Sequence, residues 1–169
     1  MTTKEDTSNF LVLTFLKDFS GKGSDRLFIY DHTNDQFSEK SLSELLGFKN
    51  LIVTHDYWLI APSIYKLSQN LPCSILDIRE FSRAICGKRP SENPVDRESI
   101  VDGISTTEDD KKIIKQYENI FYKTSEFNIE VYKSASIIIA KKFNIELKVA
   151  QSNNELDRYT NIELPVFNM

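Results

Sequence analysis

The chain predicts an α/β fold: a mixed sheet whose first strands are antiparallel and whose later strands are parallel, flanked by helices. Three observations carry this. Residues Phe10 to Leu16 form a continuous apolar run with β-branched and aromatic members, which is the pattern of a strand buried on both faces and therefore central in its sheet. Two short apolar runs, Leu51-Ile52-Val53 and Ser74-Ile75-Leu76, are each followed by helically spaced apolar residues, the alternation that places strands parallel. Between Ile113 and Lys142 apolar residues recur at helical spacing over two long stretches.

Taken in order, Ser20 to Ser24 is a turn and Arg26-Leu27-Phe28-Ile29-Tyr30 is a second strand, paired with the first as a hairpin. Asp31 to Asp35 turns the chain again, and Gln36-Phe37-Ser38 adds a short edge strand. Ser41 and Glu44 fit a capping box, in which each side chain accepts from the other residue's backbone amide, at the start of a helix stopped by Gly47. Pro62 suits the first turn of the next helix, where a missing amide hydrogen is no loss; Ile64, Leu67 and Leu71 form its face and Pro72 ends it. After the strand ending at Asp77, residues Ile78, Phe81, Ala84 and Ile85 line a helix closed by Gly87 and Pro90, with Arg79 and Arg83 on its other face.

The stretch from Ser91 to Ser105 is polar and irregular. Thr106 to Asp110 supplies the cap and the acids that match a helix dipole, ahead of a face of Ile113, Ile114, Tyr117, Ile120 and Phe121. A further helix from around Ser125 carries Ile129, Tyr132, Ala135, Ile138 and Ile139, with Lys141-Lys142 at its carboxyl end; Leu147 and Val149 read as a last strand. Residues 1–150 make one domain, and 151–169 a tail that is disordered or packs by its last residues.

Composition narrows the function classes. Net charge is −4, from 25 acids against 21 bases, which excludes a broad electrostatic grip on nucleic acid but leaves local basic patches open. Cys73 and Cys86 are far apart, with no Cys/His spacing that marks a zinc site or disulfide scaffold. Free thiols suit a reducing cytoplasm. Met1 to Asn9 is polar and lacks the apolar core of a signal peptide, and no apolar run reaches membrane-spanning length.

The middle of the chain then resembles a known family. Val53-Thr54-His55-Asp56-Tyr57-Trp58-Leu59-Ile60 looks like the Val-Ala-His-Asn-Ala-x-Phe-Asp motif of DEDD-type 3′–5′ exonuclease domains of family A DNA polymerases. His55 fits, Asp56 stands where asparagine is usual, and Ile60 stands where a metal-binding acid is expected. Asp77 matches the aspartate ending the family's next strand. Tyr122 to Val131 resembles the third motif, Tyr-Cys-x-x-Asp-Val-x-Val, with Thr124 for its tyrosine and Asn128 for its aspartate; the Asp-x-Glu of the first strand falls on Thr14 and Leu16.

The resemblance implies a ribonuclease H-like fold, in which two metal ions held by carboxylates activate water and stabilise the leaving oxygen. With Thr14, Leu16, Ile60 and Asn128 in the acid positions it also implies a domain without that chemistry, because leucine and isoleucine offer no oxygen to magnesium or manganese. The expectation is a catalytically inactive exonuclease-like domain, needing no cofactor, that serves DNA replication as a structural, DNA-guiding or polymerase-partner module. Two alternatives stand beside it: an active magnesium- or manganese-dependent nuclease using Asp18, Asp31, Asp56 and Asp77, and a protein-interaction module unrelated to replication.

Arg79, Arg83, Lys88 and Arg89 are candidates for a phosphate-facing patch, although a solvated helix face accounts for them equally well. Trp58 is a candidate for stacking on an unpaired base of single-stranded DNA, and a core or subunit contact is the commoner role of tryptophan. His55 is more often a hydrogen-bonded histidine at a strand end than a ligand. Asp77 lies where open sheets bind ligands, yet an aspartate there is more often a helix N-cap. His32 reads as an ordinary turn residue.

Overall fold

A computed structural model of the protein describes residues 9–20, 25–69, 74–86, 107–122 and 126–158. Five strands form one mixed sheet: β1 (Leu11–Leu16), β2 (Arg26–Asp31), β3 (Gln36–Lys40), β4 (Ile52–Thr54) and β5 (Ile75–Asp77). Their spatial order is β3-β2-β1-β4-β5. The β1–β2 and β2–β3 pairs are antiparallel, and β1–β4 and β4–β5 are parallel. This α/β arrangement is compatible with a ribonuclease H-like fold. β1 is central, as its unbroken apolar run predicts, and Leu11 to Phe15 are all buried. β3 lies at the edge and extends to Lys40, with charged and polar residues facing water.

The helices are α1 (Leu42–Gly47), α2 (Ala61–Ser68), α3 (Ile78–Cys86), α4 (Glu108–Phe121), α5 (Ile129–Ser152) and the short α6 (Leu156–Arg158). Ser41 caps α1 by accepting from the Glu44 amide at 3.1 Å, but the Glu44 carboxylate lies 3.9 Å from Lys40, so only the serine half of the expected capping box is described. At α4 the box is complete: Thr107 accepts from the Asp110 amide and Asp110 from the Thr107 amide. Pro62 sits in the first turn of α2, which ends on Gln69 in a left-handed conformation at φ 57°. Leu67, expected on the core face of α2, is 52% exposed, and Ile64 alone is fully buried there. Leu71, Pro72, Cys73, Gly87, Pro90, Ser125 and the stretch 91–105 lie outside the described residues.

α5 departs most from expectation. Instead of ending near Lys142 and giving way to a strand at Leu147 and Val149, it continues to Ser152. Phe143, Leu147 and Ala150 keep helical spacing on its buried face. Lys142 and Glu146 interrupt the apolar pattern, yet both are almost wholly buried, with the ammonium 3.5 Å from the carboxylate. Ser82 of α3 donates to the same carboxylate oxygen. A buried pair survives when its charges are matched and hydrogen-bonded, and here it joins α5 to α3. Lys141-Lys142 therefore belongs to the interior of a helix and not to its end.

α5 packs across β1 and β2, with α3 and α4 against it. Alternate side chains of β1 turn toward it: Phe10 meets Phe143 edge-on at 4.7 Å between ring centroids, and Thr14 meets Ser136. His32 is part of this packing. Its ring stacks on Phe10, and Asn144 of α5 lies 2.9 Å from its Nε2. No helix among the described residues is long and apolar enough to cross a membrane.

The N-cap of α5 is Asn128, whose side chain accepts from the Glu130 amide at 3.0 Å. Replacing Asn128 by alanine removes that acceptor and is expected to cost about 1 kcal/mol of stability, whereas Asn128→Asp is expected to stay close to the parent, because aspartate caps equally well. Urea unfolding at neutral pH measures both.

Candidate functional site

The site is the cluster at the carboxyl ends of β4 and β5. A parallel pair of short strands delivers Thr54, His55 and Asp56 beside Asp77, on the edge where open α/β sheets present ligand-binding groups. His55 is completely buried. Its ring stacks on Phe15 at 5.2 Å and meets Phe121 of α4 edge-on at 5.0 Å. Both ring nitrogens are engaged: Nδ1 lies 3.0 Å from Asp56 Oδ2 and Nε2 lies 2.5 Å from the Tyr117 hydroxyl.

The proton positions follow from Asp56. Burial raises the pKa of its carboxyl, but the hydrogen bond and charge interaction with His55, the Arg79 guanidinium and the Tyr122 hydroxyl outweigh that and bring it down from 3.8 to about 2. An ionised carboxylate only accepts, so His55 Nδ1 carries a proton and donates to it. Nε2 pairs with the Tyr117 hydroxyl. Burial also raises the Tyr117 pKa well above the usual tyrosine range, so the phenol keeps its proton. The result is a hydrogen-bonded chain of Tyr117, His55 and Asp56, running from α4 to the sheet end.

Asp56 also adopts a left-handed backbone, φ 45°, which short polar residues tolerate better than most. It opens the 3₁₀ turn Tyr57–Leu59, and that turn sends successive side chains in opposite directions. Ile60 is fully buried, whereas Trp58 is 68% exposed. Exposure excludes a core role for Trp58 and leaves its indole on the surface next to the cluster.

Asp77 serves as a bracket. One oxygen accepts from the Tyr57 amide at 2.9 Å and the other from the Arg79 amide at 2.9 Å. It therefore caps the start of α3 and ties down the turn after β4. Arg79 reaches over to Asp56, its Nη1 2.5 Å from Oδ1; burial opposes the guanidinium charge, yet the Asp56 carboxylate prevails and raises its pKa. The expectation that Arg79 stands on the solvent side of α3 is thus corrected: the side chain folds inward onto a carboxylate. Arg83 pairs with Glu80 one turn away at 2.8 Å. Both described arginines of the proposed phosphate patch are held by acids, and Lys88 and Arg89 lie outside the described residues.

Thr14, Leu16, Ile60 and Asn128, the positions that the sequence resemblance sets against the exonuclease acids, each have a structural task. Thr14 is fully buried with its hydroxyl 3.2 Å from Ser136 Oγ. Since Ser136 donates its own proton to the Tyr132 carbonyl at 2.8 Å, Thr14 is the donor between them. Leu16 packs against the core, Ile60 lies within it, and Asn128 caps α5; Thr124 lies outside the described residues. The alternative carboxylate set is not assembled. Asp31 pairs with Leu11 at the start of β1, the opposite end of the sheet from Asp56 and Asp77, and Asp18 binds the amide and hydroxyl of Ser20. Among the described residues no group of three or more His, Cys, Asp or Glu side chains is arranged to hold a metal ion.

Sequence reasoning missed Tyr117 and Tyr122 as members of the cluster. Tyr117 stood on the apolar face of a helix, and nothing in its spacing distinguishes a hydroxyl that finds a histidine from an ordinary core tyrosine.

Two measurements test this geometry. Because its folded-state pKa is depressed, Asp56 contributes stability that is fully present above the ordinary carboxyl value and lost as pH falls from near 3.8 toward about 2, a loss of about 2 kcal/mol. Asp56→Asn is expected to lower stability at neutral pH by about 1–3 kcal/mol and to flatten the pH dependence in that window, as read from urea unfolding at a series of pH values. Tyr117→Phe deletes the hydroxyl and leaves the buried Nε2 unsatisfied, with an expected loss of about 1–3 kcal/mol and a displaced His55 imidazole resonance in nitrogen NMR.

Comparison of the chain with family models, with curated proteins and with solved structures finds no match.

Proposed function

We propose that this chain is a ribonuclease H-like domain, akin to the 3′–5′ exonuclease domains of family A DNA polymerases, that lacks metal-dependent hydrolysis and serves DNA replication as a DNA-guiding or polymerase-partner module. The observation that carries the reading is the assignment of the family's acid positions to the fold itself. Thr14 is a buried hydrogen-bond donor to Ser136, Ile60 is a core residue, and Asn128 is a helix cap. The mixed strand order supports the fold half of the reading. The cluster around His55 then acts as a rigid bracket beneath the turn that presents Trp58. With two cysteines and no Cys/His metal spacing in the sequence, the proposed compartment is the reducing cytoplasm.

Trp58 gives this module a means of holding an unpaired strand. An exposed indole stacks on any base, and such stacking is sequence-tolerant. The alternative nuclease reading loses ground to the placement of Asp31 at the far end of the sheet.

A labelled single-stranded oligonucleotide tests the proposal in one titration, followed by electrophoresis of the same samples with magnesium or manganese. The expected result is binding without shortening, weakened roughly fivefold or more in Trp58→Ala. Metal-dependent shortening that disappears on chelation overturns the inactive reading. Absence of binding, both to the oligonucleotide and to a family A polymerase, favours an interaction module outside replication.

A further inference from the structure

The outward side of α5 has a composition unlike the rest of this acidic chain. Lys133, Ile137, Lys141, Ile145 and Lys148 follow one another at spacings of four, four, four and three, all exposed, with Val149 beside the last. Ile137 and Val149 are each 41% exposed and Ile145 is 38%. Residues at such spacings form an i±4 ridge, which is inclined to the helix axis and winds gradually around it, and the row from Lys133 to Val149 is about 24 Å long. Lys141 lies 3.3 Å from Asp110 of α4. Among the described residues no carboxylate lies within ion-pair distance of Lys133 or Lys148. No acid interrupts the row, although acids outnumber bases 25 to 21 in the chain.

We infer that this row is a docking surface for an acidic amphipathic helix of a partner protein. The i±4 ridge of a helix fits into the groove of another helix. Here the ridge alternates branched apolar side chains, which require apolar contacts, with ammonium groups, which require carboxylates. A partner helix with apolar residues on one stripe and acids flanking it meets both needs, in the way that charged positions beside an apolar seam select partners in helix pairs. An anionic bilayer fits less well. Membrane-surface helices separate their cationic and apolar faces, whereas on α5 Lys141 and Lys148 lie between Ile137 and Ile145 around the helix, so immersing both isoleucines would immerse those lysines with them. The apolar face that α5 would need for a bilayer is already buried against β1, β2, α3 and α4. The inference uses only the exposure and charge of α5, and stands or falls separately from the nucleic-acid reading above.

The test uses the full chain and a synthetic helical peptide with leucine at i, i+4 positions flanked by glutamates. The controls are the same peptide with lysine for glutamate, and vesicles of phosphatidylserine and phosphatidylcholine. Fluorescence anisotropy is expected to show binding of the glutamate peptide that weakens with salt, and a roughly tenfold loss in the double variant Lys133→Glu/Lys148→Glu. Ile137→Ser/Ile145→Ser is expected to weaken binding even at high salt, where the apolar part persists. All four side chains are exposed, and circular dichroism verifies that the variants keep the helix. No binding of the glutamate peptide up to about 1 mM, equal binding of the lysine peptide, unchanged binding by either double variant, or preferential uptake by vesicles overturns the inference.

Discussion

An imidazole removed from water has to place both of its nitrogens, and most of the architecture around the sheet's carboxyl edge is arranged to do so for His55. The strand β4 ends as His55 enters the interior, so its backbone can turn sharply. Asp56 takes the left-handed conformation that brings its carboxylate back to Nδ1. From the other side α4 must approach closely enough for the Tyr117 hydroxyl to reach Nε2. Once Asp56 is ionised in a buried place it needs further partners, which Arg79 and Tyr122 supply. Arg79 is held in turn by the start of α3, whose first amides are capped by Asp77. One buried ring thus couples β4, β5, α3 and α4, and each link is a group whose burial would be costly without the next.

Further contacts join the sheet to its helices away from that ring. A hydroxyl pair at Thr14 and Ser136, the core residue Ile60 and the helix cap Asn128 belong to them. Each stabilises the fold by itself. Thr14 and Ser136 join the central strand to the longest helix, and the buried Lys142–Glu146 pair with Ser82 joins that helix to α3. Rigidity at the sheet edge then leaves the turn from Tyr57 to Leu59 fixed, with Trp58 displayed outward and Ile60 drawn inward.

Much of this was legible in the residues. The unbroken apolar run of β1 announced a central strand, the shorter runs of β4 and β5 announced buried neighbours, and Thr107 with Asp110 announced the start of α4. Legibility failed where a polar residue was buried or an apolar one was not. Lys141-Lys142 read as a helix end because lysines there complement the dipole; Lys142 instead pairs with Glu146, and both are buried within the helix. Leu67 kept the helical period of α2 yet faces water. Arg79 and Arg83 share a helix and a spacing, yet Arg79 folds across onto Asp56 of the β4 turn while Arg83 pairs with Glu80 on its own helix.

The sequence by itself determined the α/β class, the hairpin, the central position of β1 and the starts of α1 and α4, because these rest on local periodicity and on side chains that bond to neighbouring amides. Tertiary structure alone decided which polar groups meet: Tyr117 with His55, Arg79 with Asp56, Thr14 with Ser136, Ser82 with Glu146. Each of those pairs is more than twenty residues apart in the chain, and a hydrogen bond between distant residues depends on distance and direction in space, which no local pattern encodes.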